Sequence, residues 1–153
     1  MSMSNHIVLE PIRPCVRAVV LRAGCVLVQV KEKPGKGTYL TLPGGKQEAG
    51  ETLTQALKRE CFEEVGADVV PRQLLAVADV FKPKETGLRH QMEILFLCTV
   101  DETYQPAVGP HPDPSQIATR WADPVTEADL FRPAYAPHLR ADLKTEYLGT
   151  FDG

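Results

Sequence analysis

The stretch Gly45–Ala67, GKQEAGETLTQALKRECFEEVGA, decides how the rest of the chain is read. Just before it, Leu42-Pro43-Gly44-Gly45 is a turn almost free of side-chain bulk. Thr52 and Gln55 stand at capping-box spacing and Gly66 supplies a C-terminal stop, so the pattern predicts a helix over Leu53–Val65. At about 100° per residue, Leu53, Ala56 and Leu57 share one face, which continues as Glu60 and Glu64 with Glu63 alongside. These glutamates occupy the last turns, where the helix dipole favours cations by ~0.3–1 kcal/mol each. Glu60 and Glu64, four residues apart, repel by a further ~0.2–0.5 kcal/mol. A solvated acidic face relieved by Arg59 pairing with Glu63 is the ordinary explanation of such a helix. Opposition to local stability concentrated on one half-buried face instead marks a functional site. A divalent cation resolves it, and Mg²⁺ takes a few carboxylate oxygens, keeps waters and is shared with substrate phosphates.

Working outward, Cys15–Arg22 and Cys25–Val30 are β-branched runs joined by Ala23-Gly24, a predicted hairpin. Lys31–Thr38 reads as a Pro/Gly/Lys loop and Tyr39–Leu42 as a short strand. Beyond the helix, Pro71 breaks the chain, and Leu74–Phe81 and Gln91–Val100 are strands joined by a polar loop, Lys82–His90. Gln105–Pro114 holds four prolines and a glycine, a long loop of the kind that is often functional. Thr119–Ala122 is a last strand, Thr126 with Asp129 caps a short helix, and Leu139, Leu143 and Tyr147 mark an amphipathic C-terminal helix. Strands, helix, strands, helices in that order imply a mixed sheet with helices packed on it.

With 153 residues, 43% hydrophobic and 24% charged, the chain suits one globular domain over 1–153. Its net charge of -3 leaves no basic field for a nucleic-acid backbone. The longest apolar run, Ile94–Cys98, is far short of the ~18 residues of a membrane span, and Met1–Pro14 lacks a signal core. We therefore expect a cytoplasmic protein, with no membrane partner. Cys15, Cys25, Cys61 and Cys98 read as reduced thiols, and neither they nor His6, His90, His111 and His138 fall at metal-ligand spacing.

Gly45, Glu51, Arg59, Glu60, Glu63, Glu64 and Gly66 match the pattern G-x5-E-x7-R-E-U-x-E-E-x-G-U, in which U is aliphatic. At the ~7% usage of glycine for each fixed type, a chance match is on the order of 10⁻⁸ per starting point. On these residues the chain resembles the Nudix hydrolases, the MutT-like pyrophosphohydrolases. Cys61 and Ala67, smaller than usual at the U positions, depart from the pattern in packing rather than chemistry. The resemblance implies an α/β/α sandwich with a mixed sheet, and a Mg²⁺-dependent pyrophosphohydrolase, with Mn²⁺ as a substitute, that acts on a small-molecule nucleotide by splitting a nucleoside diphosphate linked to another moiety. It implies Glu60, Glu63 and Glu64 as metal ligands, joined by the Gly44 carbonyl. Arg59 would orient a glutamate, and Glu51 would act from behind the ligands. A box glutamate, Glu63 or Glu60, ranks first as general base; Asp113, Glu102 and Glu85 are alternatives, and Gln116 stands where many relatives carry an acid. Lys46 and Arg89 are candidates to steer phosphates.

Substrate choice rests on less. In relatives that hydrolyse ADP-ribose a proline often lies 16 residues after the box, as Pro83 does here. With the Gln105–Pro114 loop as a lid over a second moiety, this favours ADP-ribose or a nucleotide sugar. The alternatives are a triphosphate-sanitising enzyme, a nucleotide-sensing module without catalysis, and an RNA 5′-end pyrophosphohydrolase. The intact box disfavours the sensor and the absent basic stripe disfavours RNA. A homo-oligomer is compatible with all of these readings.

Overall fold

The computed structural model describes residues 11–85, 87–142 and 144–153. Expectations resting on residues 1–10, such as the missing signal core and His6, and on Leu143 lie outside the described residues.

The predicted first hairpin forms as β1 (Arg13–Arg22) and β2 (Cys25–Lys33), turning at Ala23 (φ 52°) and Gly24 (φ 79°). β2 runs on to Lys33, and β3 (Gly37–Thr41) pairs back onto it, so the expected Lys31–Thr38 loop shrinks to a tight turn. The short β4 (Gly44–Lys46) pairs antiparallel with β1 and leads into α1, Leu53–Val65 as predicted. β5 (Val70–Lys84) and β6 (Gly87–Thr99) make a long hairpin that absorbs most of the expected Lys82–His90 loop. Pro71 lies inside β5, opposite Cys98, rather than ending the chain's regularity; the register shifts beside it, between Pro71 and Gln73, the kind of irregularity at which a strand tolerates proline. β7 (Gln116–Ala122) pairs with β2.

The C-terminus departs from expectation. Leu139 is buried after a short 3₁₀ turn (Ala136–His138), and Tyr147 belongs to a strand, β8 (Glu146–Asp152), which pairs parallel with β5. Three apolar residues at helical spacing were outweighed by an available sheet edge and by the β-formers Tyr147, Thr150 and Phe151. The expected helix after Thr126 is a single 3₁₀ turn, Ala128–Leu130; instead Asp123 accepts from the Val125 and Thr126 amides.

The sheet runs β3-β2-β1-β6-β5-β8, with β1 parallel to β6, β5 parallel to β8 and the other pairs antiparallel. It is the expected mixed sheet, with a core on each side. Val16, Ala18, Val20 and Leu27 pack under Ala56, Leu57, Cys61 and Val65 of α1. On the other side Val19, Val28, Leu40 and Leu95 pack against Phe131, Tyr135 and Leu139. The layer opposite α1 is thus built from 3₁₀ turns and irregular chain. No helix among the described residues is long and apolar enough to cross a membrane.

Candidate functional site

Two backbone approaches and one guanidinium set the site. A Cβ on Gly44 (φ 142°) would lie 1.9 Å from the Val16 carbonyl oxygen, so only glycine lets the chain pass this close to β1. A Cβ on Gly45 would lie 2.5 Å from the Glu60 carboxyl carbon. The bare turn that begins the motif is therefore the seat of a motif glutamate. α1 starts on the predicted capping box: the Gln55 amide donates to Thr52 Oγ1 and the Thr52 amide to Gln55 Oε1.

Arg59 answers the acidic face. It grips Glu51 through two nitrogens (2.7 and 2.9 Å), donates Nη1 to Glu60 Oε1 at 2.9 Å, and lies 3.5 Å from Glu63. These bonds pull the Glu51 carboxyl down to about 2 and raise Arg59. The Glu63 pairing of an ordinary acidic face is thus the longest of Arg59's contacts. Glu64 is buried rather than solvated, with 8% of its surface exposed; its Oε1 accepts from Gln29 Nε2 and from the Gly44 amide, both at 2.9 Å. Burial pushes its carboxyl up to about 7, against the pull of the Gly44 amide and Arg17.

The Gly44 carbonyl accepts from Arg17 Nη1 at 3.0 Å, a cation of the protein's own at an oxygen expected to hold metal. Behind it, Arg17 pairs with the fully buried Glu93 at 3.0 Å, and Glu93 also accepts from Tyr135 and Gln91. Burial alone would raise the Glu93 carboxyl, but Arg17 outweighs it and holds the group below its ordinary value. This network escaped sequence reasoning; a lone Arg and a lone Glu on alternating strands give no local signal.

The proline-rich loop closes the far end of α1. The Gly109 amide donates to the Glu64 carbonyl (2.9 Å) and the His111 amide to the Glu63 carbonyl (2.8 Å). Gln116 Nε2 adds a second bond to the Glu64 carbonyl, and Tyr104 Oη bonds the Val65 carbonyl at 2.6 Å. Carbonyls that a helix C-terminus leaves orphaned are thus satisfied by one loop and its flanks. Anchored in this way, the loop is a brace on the helix, while its Asp113 reaches a cavity beside the site.

Beside these groups lies a cavity of about 650 Å³. Lys31, Lys33, Lys36, Lys82, Lys84, Arg89 and Arg132 line it, with Asp113 the one carboxylate and Tyr39 the one aromatic among the described residues, and Pro83 and Pro133 on the wall. Burial, then the charge of Arg17, lowers both Lys31 and Lys82; Lys31 also feels Glu64. The cavity's inner end, at Lys31, thus lies within electrostatic reach of Glu64. Arg89 and Pro83 thus share the cavity, whereas Lys46 lines a separate cleft of about 360 Å³ with Glu60 and Arg13. Of the alternative bases, Asp113 reaches the cavity, 3.8 Å from Lys31; Glu85 and Glu102 are exposed and line neither cleft. The alternation Lys31/Lys33 at strand spacing was the missed signal, hidden by reading those residues as loop.

Among the described residues no three His, Cys, Asp or Glu side chains converge as a preformed metal cage. The donor set nevertheless suits a hard cation: Glu60 and Glu63 share one Arg59 nitrogen, and Glu64 has one oxygen engaged.

A family model described as NUDIX domain matches residues 11–141. The 8-oxo-dGDP phosphatase NUDT18 of Homo sapiens is 39% identical over 70 residues, 40% of this chain and 21% of that protein. The ADP-ribose pyrophosphatase of Methanocaldococcus jannaschii is 36% identical over 75 residues, 49% of this chain and 43% of that protein. The chain thus spans less than half the length of either curated relative. A NUDIX hydrolase structure from Nitrosomonas europaea shares the fold at a TM-score of 0.67 and 21% identity, covering 85% of this chain and 86% of that one. With the match running from β1 past the last 3₁₀ turn, the chain belongs to the NUDIX family.

Proposed function

We propose that the protein is a Mg²⁺-dependent pyrophosphohydrolase that cleaves a nucleoside diphosphate linked to another moiety, with Mn²⁺ able to substitute. The observation that carries this reading is the union of hard carboxylate donors on α1 with a cation-lined cavity whose innermost lysine feels Glu64. Glu60, Glu63 and Glu64 would hold the metal, with the Gly44 carbonyl as a further ligand if its second lone pair is used. When bound, the ion would neutralise phosphate oxygens and make a bound water acidic enough to attack phosphorus. Arg59 fixes the Glu60 carboxylate and is itself fixed by Glu51, so loss of either carboxylate–guanidinium contact misorients the donor. Lys31, Lys82 and Arg89 bind the phosphates and orient the linkage, and a box glutamate takes the proton of the attacking water.

ADP-ribose or a nucleotide sugar is the substrate type this reading favours, supported by Pro83 on the cavity wall and by the name of the archaeal relative. A sanitising reading, in which a damaged nucleotide is cleaved, draws support from the name of the human relative. Hydrolysis screening with Mg²⁺ across nucleotide sugars, dinucleotides, nucleoside diphosphates and triphosphates separates the two. A tenfold kcat/KM advantage for triphosphates, ~1.4 kcal/mol in transition-state stabilisation, overturns the nucleotide-sugar reading. Absence of any metal-dependent cleavage favours a binding module.

A further inference from the structure

The cavity carries more positive charge than one pyrophosphate needs. Among the described residues seven Lys and Arg line it, against a single carboxylate, in a protein of net charge -3. The cations fall into two tiers. Lys31, Lys82 and Arg89 are half-buried, and Lys31 and Lys82 feel the charge of Arg17. Lys33, Lys36 and Lys84 are exposed and lie outward, Lys33 and Lys84 two residues further along β2 and β5 and Lys36 in the turn that follows β2. At ~3.3 Å per strand residue, Lys33 stands about 13 Å along β2 from Gln29, the residue that touches Glu64. That is beyond the reach of a pyrophosphate centred on the glutamates. Among the described residues the outer lysines form no ion pair, Lys33 acting on Asp113 only at longer range, and Tyr39 is the aromatic residue of the lining. Like charges held together around a hollow repel unless an anion joins them.

We propose that the outer tier is a second anion subsite, and that the preferred substrate is a nucleoside diphosphate derivative bearing a further phosphomonoester away from the scissile linkage. This deepens the hydrolase reading above and rests on it. The inner tier holds the pyrophosphate, and Lys33, Lys36 and Lys84 hold the distant monoester through charge-assisted hydrogen bonds. A nucleotide sugar without that group leaves the outer lysines unpaired.

Matched pairs differing by one phosphomonoester test this: ADP-ribose against 2′-phospho-ADP-ribose, and dephospho-coenzyme A against coenzyme A, each with Mg²⁺ at low and high salt. We expect at least one phosphorylated member to exceed its partner in kcat/KM by about tenfold, consistent with one or two hydrogen bonds to charged groups, and this ratio to shrink with salt. The Lys33→Gln/Lys84→Gln double variant should bring that ratio close to one. Ratios of one or below in both pairs, or a preference that survives the double variant, overturn the subsite. Failure of all four compounds where nucleoside triphosphates are cleaved overturns the underlying substrate reading instead.

Discussion

Replacing Gly109 with alanine should loosen the brace on α1. A Cβ there would lie 2.4 Å from the Glu63 carbonyl oxygen and 2.7 Å from that of Phe62. Both are backbone atoms at a helix end, so no side chain can swing aside. Gly109 is not in the left-handed φ region, which means glycine supplies the absence of a side chain here rather than backbone freedom. Reaching ordinary contact requires the loop to withdraw by roughly 1 Å. That stretches the bonds from the Gly109 and His111 amides, 2.9 and 2.8 Å, out of range. At ~0.5–1.5 kcal/mol net each, and with water replacing part of them at this half-exposed edge, the loss is about 1–2 kcal/mol. For a chain of this length that lowers Tm by about 2–8 °C. Calorimetry in EDTA measures the shift without metal linkage, and a urea titration with unchanged m value shows that stability alone has moved. Activity should fall as well, because Glu63 and Glu64 ride on the turn that frays. A variant melting within 1 °C of the parent would refute the idea that the loop braces the helix.

Other substitutions separate stability from chemistry. In Gly45→Ala the three atoms nearest the new Cβ all belong to the end of the Glu60 side chain, so Tm should stay within a few degrees while Mg²⁺-dependent turnover drops at least tenfold. Glu64→Gln keeps an oxygen able to accept from Gln29 and the Gly44 amide, and thermal stability should hold while activity is lost; near-normal turnover would remove Glu64 from the proposed ligands. Glu93→Gln strands Arg17 in the interior and should cost about 3–5 kcal/mol, measured by denaturant melts. The Glu93 carboxyl is depressed in the folded state, so its contribution is present above its ordinary 4.5 and lost as pH falls below that; the parent should therefore destabilise on acidification more steeply than the variant. Nucleoside monophosphates should be inert in a phosphate-release assay, since carboxylates clustered on one helix address adjacent phosphates.

The helix Leu53–Val65 and its capping box were legible because their determinants are local: Thr52, Gln55 and Gly66 act within a few residues of one another. The clash of like charges on α1 was legible for the same reason, and Arg59 answers it at Glu60 and Glu63 while Glu51, eight residues away, holds the guanidinium in place. What sequence could not supply was pairing over distance. β8 exists because β5 offers an edge, whatever the spacing of Leu139 and Tyr147 suggests. Lys33 and Lys84 share one cavity because two hairpins meet, although each lysine alone reads as a solubilising charge in a turn. Arg17 and Glu93 are 76 residues apart, and nothing near either announces the other.

That separation bears on how the molecule folds. The β5–β6 hairpin is closed by partners as near as Lys84 and Gly87, whereas β1 reaches β6 only through pairs such as Val16 with Ile94. Closing so long a loop carries its entropy before any contact rewards it, so the hairpin should form early and the docking of β1 late. Arg17 and the Gly44 turn, which packs on β1, arrive with that last step. A folding intermediate lacking β1 would hold much of the sheet and yet have no seat for Glu60 or Glu64. Conservative truncations in β1 should therefore speed unfolding far more than they slow folding, and the gain in stability from added Mg²⁺ should appear wholly in the unfolding rate.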